Sequence, residues 1–206
     1  MSAVTAVPFL DLSTAFKAIE AEWLETIRAS GAKGSFILGP QTVEFEKEFA
    51  QYVGVKHAIG VANGTDSLVL SLRALGIGPG DEVITTPWTF FASAESISIV
   101  GATPVFVDIR PDTYCLDPDS IVKRLTPKTR AIMPVHIFGH AADMDAIMQI
   151  AKDRKLAVIE DCAQSFGARS SGKVTGGIGD TGSFSFYPTK VLGCYGDGGM
   201  ITTNRD

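Results

Sequence analysis

His57–Leu75 reads HAIGVANGTDSLVLSLRAL, and the fold turns on how it is divided. HAIGVA (57–62) is a short apolar run that reads as a buried strand. NGTD follows at once. SLVLSLRAL then reads as a helix, ended by Gly76. A strand that passes into a helix through so short a turn predicts a sheet with helices packed on it.

The same alternation extends outward from this unit. Towards the N-terminus, Ser13 is expected to cap a helix to about Arg28, with Phe16, Ile19, Trp23 and Ile27 on one face. A glycine-rich loop, SGAKGSFILGP, separates it from a second helix, TVEFEKEFAQYV. Towards the C-terminus, strands are expected at VITT, PVFVDI, TRAIMPV and KLAVIED. Helices are expected at FFASAESISIV, DPDSIVKRL and DMDAIMQIAKDR. After Gly167 comes a turn-rich stretch, GARSSGKVTGGIGDTG, then two strands, SFSFY and GGMITT. The expected class is α/β: one domain over residues 1–206, its mostly parallel sheet covered by helices on both faces in three layers.

Composition narrows the function. Of 206 residues, 45% are apolar and 20% charged, which is the balance of a globular protein. The net charge of −5 carries no basic run, so nucleic acid is not an expected partner. No long uncharged apolar window is present, so neither is a membrane. The start lacks a basic n-region, and three widely spaced cysteines form no disulfide pattern. Both point to the cytoplasm.

Several familiar patterns fail on context. Gly177, Gly179 and Gly182 spell G-x-G-x-x-G but precede a strand, whereas a dinucleotide site opens a helix. GARSSGKV nearly spells a P-loop, with Val174 where a hydroxyl should hold magnesium. His136 and His140 flank a glycine turn rather than share a helix face, so no metal site is expected. Cys162 and Cys194 read as small buried residues.

Three features carry chemistry. Asp161 ends the apolar strand LAVIE, so its carboxylate reaches the sheet's carboxyl edge, where ligands bind in open α/β sheets. It reads as a helix cap or as the anion that pairs with a protonated ring nitrogen. Asn63-Gly64-Thr65 joins a strand to a helix start, which suits a phosphate or an ordinary turn capped by Thr65 or Asp66. Lys190 follows Pro188 and precedes a glycine cluster, as a snorkelling surface residue or a fixed, desolvated nucleophile. A lysine, a carboxylate and an anion loop together are the requirements of pyridoxal phosphate.

With these residues in view, the sequence resembles the DegT/DnrJ/StrS family of pyridoxal-phosphate-dependent sugar aminotransferases. The resemblance runs through FILGPQTVEFEKEFAQYVGVKHAIGVANGTDSL, GPGDEVITTPWTFFASAESI, PVHIFGHAADMDAI, VIEDCAQSFGA and GDTGSFSFYPTKVLGCYGDGG. It implies the type I aminotransferase fold. It also implies roles: Lys190 holds the cofactor as a Schiff base, and Asp161 pairs with the ring nitrogen. Gln164 reaches the ring hydroxyl. Gly64, Thr65 and Ser185 hold the phosphate, and Phe90, rather than Trp88, stacks on the ring. The implied substrates are L-glutamate and a nucleotide-linked keto sugar, with Asp197 in GCYGDGG leaning towards amination at C3. The implied assembly is a homodimer with a shared site. The resemblance further implies a large domain truncated before a small C-terminal one. The other readings are a non-catalytic regulatory relative and a different type I enzyme, such as a sugar dehydratase or lyase.

Overall fold

The computed structural model describes residues 7–206, so part of the segment read as lacking a basic leader lies outside it. The described residues divide into two compact units, one up to Glu44 and one of residues 45–206. In the first, helix α1 spans Ser13–Ala32. The expected cap, Ser13, is itself helical, and Asp11 does the capping. The Asp11 carboxylate accepts the Ser13 hydroxyl (2.6 Å) and N–H (2.8 Å) and the Thr14 hydroxyl (2.7 Å). The Ser13 and Thr14 hydroxyls, then the Ser13 N–H, hold its carboxyl at about 2, below the ordinary range. A charged acceptor makes the stronger bond, which is why Asp11 wins over a serine hydroxyl. The helix also outruns its expected end near Arg28, since Gly31 near its last turn is tolerated. Within it Phe16 and Trp23 meet edge-on, with centroids 5.7 Å apart. Helix α2 (Pro40–Val53) leads into the second unit.

That unit is built on a seven-stranded sheet. In chain order its strands are β1 (His57–Val61), β2 (Glu82–Thr85), β3 (Thr103–Phe106), β4 (Thr129–Ile132), β5 (Ala157–Asp161), β8 (Thr181–Ser185) and β9 (Gly199–Thr203). Between β5 and β8 lies a small hairpin, β6 (Arg169–Ser170) and β7 (Lys173–Val174). The sheet order is β1-β9-β8-β5-β4-β2-β3. Only β9 runs against its neighbours, so the other six strands end at one edge.

Helices α3 (Gly64–Ala74), α4 (Ala92–Ile99), α5 (Pro118–Arg124) and α6 (Met144–Arg154) cover the two faces. Strand side chains alternate between faces, and the core divides accordingly. Val83, Ala131 and Ile159 pack with Leu68 and Leu72 of α3 and Ile97 of α4. Their neighbours Ile84, Ile132 and Val158 pack with Ile121 of α5 and Ile147 of α6. The expected three-layer α/β arrangement follows directly from this alternation. A third cluster, Phe49, Phe184, Phe186 and Met200, fills the β8–β9 end.

Three expectations change. Strand β1, read as buried, is the sheet's outer strand, and only Ala58 on it is buried. The turn-rich stretch contains the β6–β7 hairpin. The cap of α3 is Asn63, whose side chain accepts the Asp66 N–H at 2.8 Å, because the helix already begins at Gly64. No helix among the described residues is long and apolar enough to cross a membrane.

Candidate active site

The carboxyl edge of the sheet opens into a cavity of about 720 Å³. Gly64, Thr65, Phe90, Asp161, Gln164, Ser185 and Lys190, the seven residues expected from the sequence, all line it. They come from the ends of β5 and β8, the start of α3, the segment before α4 and the loop after β8.

Asp161 is the last residue of β5, and the segment after β4 fixes its backbone. Its N–H donates to Pro134 O (2.9 Å), and its carbonyl accepts the His136 N–H (3.1 Å). Its side chain accepts the Ser93 hydroxyl at 2.7 Å and the Ala163 N–H at 3.1 Å. Burial pushes its carboxyl above the usual range; the Ser93 and Ala163 bonds and the charge of Lys190 oppose that rise.

The start of α3 lies flat on the ends of β8 and β9. A Cβ on Gly64 would lie 2.6 Å from Ser185 Cβ, and one on Gly199 would lie 2.4 Å from Asn63 O. Ser185 and Gly199 are paired across β8 and β9, so both contacts come from one rung of the sheet. The first helical bond runs from Ser67 N–H to Asn63 O, and Asn63 takes the Asp66 N–H. The N–H groups of Gly64 and Thr65 precede these, at the positive end of the helix. Asp66 and Asp197 also line the cavity, so an anion there depends on backbone N–H groups and on Lys190.

Lys190 is half-buried in a loop closed by bonds from Phe186 N–H to Gly198 O and from Cys194 N–H to Phe186 O, each 2.8 Å. Its own N–H donates to Tyr187 O at 2.8 Å. Proline and glycine crowding is evident at Gly193, where a Cβ would lie 2.6 Å from Pro188 O.

Gln164 is aimed by a residue that the sequence did not single out. Its side-chain oxygen accepts the Phe138 N–H at 2.8 Å, which leaves the amide nitrogen for other contacts. Phe138 stands at φ 55°, ψ 23°, a left-handed conformation that is costly for a bulky residue. Of the two aromatic candidates, Phe90 lines the cavity, whereas Trp88 stacks on Tyr114 at 6.1 Å.

The rejected patterns have structural explanations. Glu160 is fully buried and accepts four donors: His136 Nε2–H (3.0 Å) and the N–H groups of Gly176, Ile178 and Gly179 (2.7–2.8 Å). His136 Nδ1 accepts the Ala142 N–H at 3.0 Å, so the proton sits on Nε2. Burial opposes ionisation of Glu160, but the His136 bond and the glycine-turn N–H groups outweigh it and hold its carboxyl low. The glycine turn therefore spends its donors on a carboxylate of its own chain. Cys162 lies with His136 and Glu160 within 4.8 Å, but burial, with the charges of Glu160 and Asp161, raises its thiol well above the usual range. The sequence signal for Glu160 was a charge inside the apolar run LAVIED. Ser93 gave no such signal.

The chain also matches known proteins over nearly its whole length. Residues 17–206 match the DegT/DnrJ/EryC1/StrS aminotransferase family. The chain is 50% identical over 200 residues to the "Pleiotropic regulatory protein" of Geobacillus stearothermophilus, covering 97% of this chain and 54% of that protein. It is 49% identical over 203 residues to the "UDP-N-acetyl-3-dehydro-alpha-D-glucosamine 3-aminotranferase" of Acidithiobacillus ferrooxidans, covering 98% and 55%. Among solved structures, S. venezuelae DesV "in complex with ketimine intermediate" superposes with a TM-score of 0.95 at 47% identity, over 98% of this chain and 54% of that one. The chain spans about half the length of the curated relatives it matches. It belongs to the DegT/DnrJ/EryC1/StrS aminotransferase family.

Proposed function

We propose that the chain supplies the cofactor-binding large domain of a pyridoxal-phosphate-dependent aminotransferase that moves an amino group from L-glutamate to a nucleotide-linked keto sugar, at C3. The observation that carries this reading is the convergence of Lys190, Asp161 and the α3 start, far apart in sequence, on one cavity.

The residues fit the cofactor. A cradle with no room for a Cβ at Gly64 brings backbone N–H groups and the Ser185 hydroxyl together, as a phosphate requires. A buried carboxylate stands at the strand end, and a half-buried amine shares its cavity. Two solved neighbours are described with bound PMP, the amino form of that cofactor. When bound, pyridoxal phosphate supplies an electron sink for a carbanion beside the amino nitrogen.

In this reading Gly64, Thr65 and Ser185 bind the phosphate and set the depth of the ring. Phe90 covers one ring face, and Gln164, held by Phe138, turns its amide towards the ring hydroxyl. Asp161 holds a proton at the ring nitrogen. Lys190 Nζ would hold the cofactor covalently; when free, it would accept a proton from the donor's Cα and return one to the sugar's keto carbon. Exposed aromatic side chains at the cavity's border, Phe90 and Tyr187, support a second copy covering the site, so that a homodimer completes it.

The C3 choice is supported by the name of the Acidithiobacillus relative and by Asp197 at the cavity wall. A second reading, a cofactor-binding regulator, is favoured by the name of the Geobacillus relative. One experiment separates them. The chain is loaded with pyridoxal phosphate and mixed with L-glutamate. Conversion of the bound cofactor's visible absorbance to that of its amino form, with release of 2-oxoglutarate, supports aminotransfer. A stable visible band with no 2-oxoglutarate supports the regulator.

A further inference from the structure

Ser93 sits in the first turn of α4 and is completely buried. Its Oγ is 2.7 Å from Asp161 Oδ2 and 2.8 Å from Thr89 Oγ1. Proton counting fixes the direction of this chain. An ionised Asp161 can only accept, so Ser93 gives its single proton to Asp161 and receives one from Thr89. Thr89 lines the cavity, and Ser93 lies behind it. The other Asp161 oxygen accepts the Ala163 N–H at a longer 3.1 Å. The shorter bond, from a hydroxyl to a carboxylate, is of the strong charge-assisted class.

We propose that Ser93, fed by Thr89, is a positioning residue that fixes both the direction and the ionised state of the Asp161 carboxylate. The consequence for catalysis rests on Asp161 as the partner of the ring nitrogen; the hydroxyl chain itself does not. A ring nitrogen is held protonated only by an anion, and a buried carboxyl left to itself takes up a proton. Lys190, from the loop after β8, favours the anion; His136, from the segment after β4, is neutral and gives its Nε2 proton to Glu160. Glu160 and Cys162 flank Asp161 on its own segment, and Ser183 of β8 stands opposite it. From α4 the group that faces Asp161 is uncharged: Glu95, its one ionisable residue, is two positions from Ser93 and on another side of the helix. The local donor that offsets burial on that side is therefore the Ser93 hydroxyl.

The test reads Asp161 directly, in the chain without cofactor, by pH-titrated infrared difference spectroscopy of the carboxyl band, assigned with Asp161→Asn. Loss of one charge-assisted bond should make Asp161 in Ser93→Ala hold its proton about tenfold more tightly. Ser93→Cys, of similar size with a weak donor, should shift the band in the same direction, and it carries the test if the alanine variant does not fold. An Asp161 band identical to wild type in the folded variants, at every pH, overturns the inference. Because the readout needs no cofactor, it stays valid even if Asp161 proves not to serve the ring nitrogen. That separate failure would show as near-native turnover in Asp161→Asn.

Discussion

At the scale of single residues, the role proposed for Asp161 sets function against stability. Burial raises its carboxyl above the ordinary value, so the unfolded chain releases its proton at lower pH than the folded one. Between the two values the folded state binds more protons, and stability falls as pH rises. In the cofactor-free chain, Asp161→Asn should therefore gain Tm relative to wild type as the buffer rises from about pH 4, the ordinary aspartate value. Thermal melts across that range check it; a gap that narrows with pH would mean that the carboxylate stabilises the fold. The loaded variant should lose most turnover while retaining some cofactor. Lys190 and Asp161 were legible because each breaks its local pattern: a cation in a tight apolar loop and a carboxylate at the end of an apolar strand. Ser93 was not, because a serine in a helix says nothing of a partner 68 positions away.

At the scale of elements, the proposed anion cradle depends on contact between the α3 start and the β8–β9 rung. A methyl on Gly64 would fall 2.6 Å from Ser185 Cβ. Gly64→Ala should cost about 1–3 kcal/mol as overpacking and weaken retention of pyridoxal phosphate. Pairing it with Ser185→Gly removes the clashing Cβ, so the double variant should recover part of the stability. Denaturant titration of the four proteins reads this coupling; simple additivity would show that the two positions do not press on one another. Most elements were visible as apolar runs between turn residues. Their surroundings were not. An apolar run such as HAIGVA looks the same on an edge strand as inside a sheet, and β1 turned out to be an edge. Helix starts depended on which of several neighbouring side chains won the orphan N–H groups: Asp11 over Ser13, and Asn63 over Thr65 or Asp66. The pairing of β6 with β7 had no signal beyond turn composition.

At the scale of the whole molecule, six strands that end at one edge gather residues 63 to 198 of the sequence around a single cavity. The alternation of strands and helices predicts that edge, and with it the place where Asp161, the α3 start and Ser185 converge. The rejected glycine pattern is part of the same construction: its N–H groups anchor to Glu160, one residue before Asp161 on β5. In the proposed function the chemistry rests on Lys190. Reduction of the pyridoxal-phosphate-loaded chain with borohydride, followed by peptide mapping, tests it most directly. The expected result is one labelled peptide, carrying the cofactor on Lys190, with no label and no visible band in Lys190→Ala. Label on a different lysine, or label that persists in Lys190→Ala, would contradict the account.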